Sequence, residues 1–152
     1  MKAIIYCSDN LGLSDEFEIT QMLEQAQAQN SLNGITGYIY YHNNQFLQYF
    51  EGETHVVESL WYAIQQDKRH KIKAKAMTHI SSRLFPSWHM RDFNALTEVE
   101  KMLFQHLTVQ MKLLVHRKSL FMKFFFKGDN IWHIVEKIKA TFVFHDQGLS
   151  SD

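Results

Sequence analysis

In the run Phe46-Leu47-Gln48-Tyr49-Phe50 a glutamine separates two phenylalanines that would share its face of an extended strand. A buried amide costs free energy unless its donors and acceptors are met, so Gln48 needs a partner. The commoner partner is another core side chain, and Tyr6, in the apolar run from Ala3 to Ser8, is the natural candidate. Asn30 continues the helical stripe Ile19, Met22, Leu23 and Ala26, where its amide suits a helix C-cap or a ligand that both donates and accepts. At Asp67-Lys68-Arg69-His70 the cations suit the negative end of a helix dipole, whereas Asp67 opposes it and asks for a specific partner. Trp88 and Met90 read first as core residues, as tryptophan and methionine usually do.

Other chemistries find little support. The single cysteine, Cys7, excludes an intramolecular disulfide and a cysteine-based zinc site. Nine histidines include no H-x-x-x-H or H-E-x-x-H pair, so no metal site is expected. After the first strand, Ser8-Asp9-Asn10-Leu11-Gly12 is acidic with one glycine, the opposite of an anion-cradling loop. A small phosphate-handling enzyme is therefore not expected, and the chain reads as a non-enzyme.

The elements that must position these residues follow from periodicity. Ala3 to Ser8 reads as a buried opening strand, and Ser14 or Asp15 to Asn30 as a helix with Asp15 and Glu18 as a capping box. Gly34 to Tyr41 and Gln45 to Phe50, joined at His42-Asn43-Asn44, read as a β-hairpin. Val57, Leu60, Trp61 and Ile64 mark a second amphipathic helix over 53–68, Ile72 to Ile80 alternates as a half-buried strand, and Phe85 to Met90 offers another. The order β-α-β-β-α-β-β predicts an α+β, ferredoxin-like sheet with two helices on one face. In that order the first strand lies beside the outgoing hairpin strand, which would bring Tyr6 to Gln48. Helical stretches from Thr97 to Leu114 and Asn130 to Phe142 predict a C-terminal helical extension, giving a domain over 1–92 and an extension over 93–152.

With 152 residues, 45% hydrophobic and 21% charged, the chain can bury one sizeable core. Neither a signal peptide nor a membrane span is visible, and a cytoplasmic location is expected. The formal charge of zero argues against generic nucleic-acid binding. It is a cancellation: residues 1–60 hold eight acids and only Lys2 (−7), while residues 61–152 hold eight acids and fifteen bases (+7). From Lys112 to Lys127 five bases and no acid interleave with leucine and phenylalanine, a surface expected for an oligomer or a partner.

Five stretches together resemble the BLUF (blue light using flavin) photoreceptor domain: Ile5-Tyr6-Cys7-Ser8, Asn30-Ser31-Leu32-Asn33-Gly34-Ile35-Thr36-Gly37, Phe46-Leu47-Gln48-Tyr49-Phe50-Glu51-Gly52, Asp67-Lys68-Arg69-His70 and Trp88-His89-Met90. The resemblance covers roughly residues 1–92, and the helical remainder is similar to that of short, stand-alone BLUF proteins. It implies a flavin, usually FAD with FMN or riboflavin as substitutes, between the two helices. Asn30 would meet the ring's C4 carbonyl and N3–H, and Arg69 its C2 carbonyl or phosphate side. His70 would lie against the ring, with Met22, Ile39 and Ile64 as apolar walls and Ser8, Asn33 and Asp67 as lesser contacts. The implied photochemistry takes an electron from Tyr6 and a proton through Gln48, leaving the Gln48 amide rearranged and the flavin oxidised. Trp88 and Met90 would relay the change to the C-terminal helices and on to a downstream signalling protein in trans, in a homo-oligomer. The competing reading is a flavin-free ferredoxin-like regulatory binding module, distinguished by whether the purified protein is yellow.

Overall fold

The computed structural model describes residues 1–13, 15–92, 96–115 and 129–147. They divide into two compact units, Met1–Ala95 and Leu96–Asp152.

The first unit is built on β1 (Lys2–Asn10), a strand buried on both faces, which explains its unbroken apolar run. Asp15 accepts a hydrogen bond from the Glu18 backbone N–H at 2.8 Å and starts α1 (Glu16–Leu32). This helix ends later than the expected Asn30. Asn33 is its C-cap, donating from both backbone and side chain to the Gln29 carbonyl (3.1 and 2.7 Å), and Gly34 follows at φ 64°. The cap role therefore falls to Asn33 and leaves the Asn30 side chain free of it.

Strands β2 (Thr36–His42) and β3 (Gln45–Gly52) form a hairpin whose two-residue loop places Asn43 and Asn44 at φ 48° and 62°, as a type I′ turn requires. Helix α2 (Thr54–Gln66) buries Val57 and Trp61, and β4 (His70–His79) follows as an edge strand carrying Lys71, Lys73 and Lys75. The last strand, β5 (Trp88–Asp92), starts three residues later than the expected Phe85. The reason is a long-range one: the Leu84 and Phe85 amides donate to the Glu51 carboxylate at 2.8 and 2.7 Å instead of joining a ladder.

The sheet order is β4-β1-β3-β2-β5, antiparallel except where β5 runs parallel to β2. This is the expected ferredoxin-like arrangement with one added parallel strand. Ile19 of α1 and Val57 and Trp61 of α2 pack in one cluster with Ile4, Tyr6, Ile39, Phe46, Phe50 and Trp88, so both helices cover the same sheet face. The second unit pairs α3 (Glu98–Val115) with α4 (Asp129–Gln147). Phe104, Leu107, Met111, Ile131, Ile134, Val135 and Ile138 are its buried residues in these helices. Thr97 and Glu100 cap α3 reciprocally. Helix α4 outruns the expected Phe142, as no glycine or proline intervenes before Gly148. Most of the basic stretch expected as a surface, at 116–128, lies outside the described residues. No described helix is long and apolar enough to cross a membrane.

Gly37 sits at φ 143°, and a Cβ there would lie 2.1 Å from the Tyr49 carbonyl oxygen of the neighbouring strand. Gly37→Ala is expected to destabilise the first unit by about 3 kcal/mol or more, read as a lower urea midpoint. An unchanged midpoint would contradict this strand spacing.

Candidate functional site

Tyr6 and Gln48 are direct cross-strand partners of β1 and β3, each 4% exposed, and the Tyr6 hydroxyl donates to Gln48 Oε1 at 2.6 Å. The phenol also packs edge-on against Trp61, with ring centroids 5.4 Å apart. Burial, helped by the Asp67 carboxylate, holds the Tyr6 hydroxyl well above its ordinary pKa of 10.0. The pair is thus buried and hydrogen bonded, with its phenol protonated.

Above it lies a cavity of about 390 Å³. Its floor is Tyr6, Ile39, Phe46 and Gln48. Met22, Gln25, Ala26, Gln29 and Asn30 of α1 form one wall, Leu60, Ala63 and Ile64 of α2 the other, with Asp67, Arg69 and His70 at one end. Asn30 is 3% exposed, yet its side-chain amide has no hydrogen bond to another described residue and lines the cavity. Gln48 uses its carbonyl oxygen on Tyr6, which leaves its NH₂ for something else. Amides opening into a cavity suit a ligand with a polar edge, and the volume lies within the usual range of small-molecule pockets.

At the far end, His70 is held by two contacts: Nε2 to the Ile64 carbonyl at 3.0 Å and Nδ1 to Ser8 Oγ at 2.8 Å. A carbonyl only accepts, so Nε2 carries the proton, and in the neutral ring Nδ1 accepts from Ser8. Ser8 is buried and orients His70 without lining the cavity itself. Arg69 forms a two-pronged pair with Asp67, Nε to Oδ1 at 3.0 Å and Nη2 to Oδ2 at 2.7 Å. These bonds hold the Asp67 carboxyl below the ordinary carboxylate range and identify the partner that its position against the helix dipole called for.

Sequence reasoning named Tyr6, Met22, Asn30, Ile39, Gln48, Ile64, Asp67, Arg69 and His70, and the fold gathers all nine around one cavity. Asn33 is exposed at the α1 C-cap, away from it. Trp88 is 5% exposed in the apolar cluster with Tyr6, and its indole N–H has no hydrogen-bond partner among the described residues. The Met90 backbone pairs with Ile39, while its side chain lies outside the described residues. Gln25 and Gln29 were missed. Their i, i+4 spacing on the edge of the Asn30 stripe was the available signal. No cluster of three metal-ligating side chains occurs among the described residues.

The described residues within 1–92 thus form an α+β domain with a buried Tyr–Gln pair beneath a cleft between two helices, the form of a small-ligand-binding domain. Residues 1–91 match the family model "BLUF: Sensors of blue-light using FAD", and the chain belongs to that family. BLUF domains are flavin-binding blue-light sensors, with FAD the typical flavin, and are not themselves enzymes. A photoactivated adenylate cyclase subunit alpha-like protein of Euglena gracilis is 32% identical over 83 residues, 54% of this chain and 8% of that protein. The photo-activated state of BlsA superposes with TM-score 0.63 at 25% identity, covering 91% of this chain and 95% of that one. A bacterial light-regulated adenylyl cyclase gives 0.60 at 27% identity over 74% of this chain and 35% of that one. The chain therefore spans only a small part of these cyclase relatives.

Two expectations follow. Burial raises the hydroxyls of Tyr6, Tyr38 and Tyr49 above 10.0, so they keep protons that the unfolded chain loses as pH rises past that value. Stability that is fully present below about pH 9 should fall as pH rises past the unfolded value of 10.0 and keep falling toward the higher folded values, which urea titration at each pH will show. Second, α1 buries only Ile19 and Asn30 and turns Met22, Gln25, Ala26 and Gln29 to the cavity, whereas α2 is anchored by Val57 and Trp61. Adding FAD should slow amide exchange in α1 roughly tenfold or more and in α2 much less. Equal protection of both helices would contradict this.

Proposed function

We propose that this protein is a blue-light photoreceptor that holds FAD in the cavity between α1 and α2 and signals through rearrangement of Gln48. The observation that carries the reading is the buried Tyr6–Gln48 hydrogen bond beneath a cavity into which the uncommitted Asn30 amide opens. The flavin, when bound, supplies the blue-light absorption and the oxidising power of its excited state. Asn30 would meet the donor–acceptor edge of the ring, Met22, Ile39 and Ile64 would serve as its apolar walls, His70 would lie against it and Arg69 would serve its outer, anionic part.

Tyr6 would then give up an electron to that excited flavin and pass its hydroxyl proton to Gln48 Oε1 along the 2.6 Å bond. Both would return to Tyr6, but the Gln48 amide, once rotated or tautomerised, would present a different donor pattern to the cavity. The flavin would end oxidised, as it began, and the lasting change would be in hydrogen bonding alone. Gln48 lies opposite Ile39 on β2, which in turn runs beside Met90 on β5, so the sheet ladder leads from the switch to the last strand. From β5 the change passes along the chain to the C-terminal helices and, in a homo-oligomer, to a downstream signalling protein in trans.

A light-minus-dark spectrum of the FAD-loaded protein is expected to show a reversible red shift that decays in darkness. Tyr6→Phe and Gln48→Leu should keep flavin and lose the shift, and Asn30→Ala should weaken FAD binding roughly tenfold. A colourless protein that takes up no FAD overturns the reading, and a normal photocycle in Tyr6→Phe overturns the donor assignment.

A further inference from the structure

Glu51 lies three residues beyond Gln48 on β3, on the opposite face of the sheet, and is 0% exposed. A carboxylate this deep is tolerated only when its oxygens are fully engaged. Oε1 accepts from the Leu84 and Phe85 amides at 2.8 and 2.7 Å and from Thr36 Oγ1 at 3.2 Å, while Oε2 accepts from the Tyr49 hydroxyl at 2.6 Å. Arg83 tightens the same junction, donating to Thr36 Oγ1, the Glu51 carbonyl and the Gly34 carbonyl at 2.9, 3.2 and 2.7 Å. Phe85 is then clamped against the Tyr38 and Tyr49 rings, each with centroids 5.3 Å away. Three residues later β5 begins with Trp88.

We propose that Glu51 is a positioning residue that ties the Gln48 strand to the start of β5. A shift of β3 at Gln48 is carried by this carboxylate into residues 84–88, in parallel with the sheet ladder. The role rests on the photoreceptor reading of Gln48. The side chain is rigidly engaged because charge-assisted bonds in a dry setting are stronger than neutral ones, so the loop moves with the strand.

The test is amide hydrogen exchange on the full FAD-loaded chain, dark and under blue light, for wild type, Glu51→Gln and Arg83→Met. An amide in place of the carboxylate leaves a neutral, weaker acceptor for the Leu84 and Phe85 amides and turns the other oxygen into a donor that the Tyr49 hydroxyl must reverse to accept. Glu51→Gln should therefore keep FAD and the red shift, and raise dark exchange at Leu84 and Phe85 roughly tenfold. It should also lose the light-minus-dark exchange difference over 84–92 that wild type shows. If Glu51→Gln does not fold, Arg83→Met, which spares the carboxylate, should reduce the same difference. A red shift in wild type with an undiminished exchange difference in the variants reduces Glu51 to a structural tether and overturns the coupling. A wild-type protein with no red shift overturns the photoreceptor reading, and the coupling with it.

Discussion

The hydrogen bond from Tyr6 to Gln48 constrains everything around it. It requires that position 6 of one strand face position 48 of another and that both side chains emerge on the helix-covered face. A slip of one residue would turn Gln48 to the other side of the sheet and set Leu47 or Tyr49 opposite Tyr6. Two devices prevent the slip. The Asn43-Asn44 turn sets β2 against β3, and Asn10 ties β1 to the same turn, its N–H donating to the Asn44 carbonyl at 2.9 Å while Asn44 Nδ2 returns a bond to the Asn10 carbonyl at 3.2 Å. The bond itself adds little stability, since a satisfied buried polar pair nets about 1 kcal/mol against an apolar pair's larger burial gain. Packing energy alone therefore does not account for a glutamine in a phenylalanine-lined strand.

That local loss of apolar packing recurs on α1. Its cavity face carries Asn30, Gln25 and Gln29 beside Met22 and Ala26, so the helix is held by few apolar contacts of its own. A ligand that fills the cavity supplies the missing surface and joins α1 to the sheet, which makes occupancy and the order of this helix a single equilibrium. Helix α2, with Trp61 edge-on to Tyr6 and Lys75 lying 5.0 Å over the indole, is the fixed wall.

Much of this was legible from local pattern. Strand alternation put Gln48 and Tyr6 on faces that a ferredoxin-like order must bring together, and the hairpin and the α1 N-cap followed, whereas Met22, Ile39, Ile64, Asp67, Arg69 and His70 were marked as site residues by the resemblance to the BLUF family. Asn30 was ambiguous because a C-cap and a ligand contact call for the same side chain, and only the fold shows Asn33 taking the cap. Ser8 looked like a cavity residue but stands behind His70, an arrangement set by a contact 62 residues away in the chain. The late start of β5 was illegible for the same reason: the competitor for the Leu84 and Phe85 amides is a carboxylate more than thirty residues upstream. Gln25 and Gln29 carried only the weak mark of their i, i+4 spacing beside the Asn30 stripe, which is easily passed over because glutamines on a helix most often face solvent.

The charge asymmetry of the halves acquires a more local meaning from the fold. Lys2, the one base among the first sixty residues, pairs with Glu58 at 2.7 Å, and Asp9 pairs with Lys73 of β4 at 2.8 Å. Three of the later bases, Lys71, Lys73 and Lys75, are exposed along β4, where lysines deter an edge strand from pairing with another chain. A fourth, Arg69, is neutralised by Asp67 at the cavity end. Part of the +7 is thus engaged inside the sensor unit, protecting its edge and joining its two charge classes. Any field left to steer a partner must come mainly from the bases that follow the sheet.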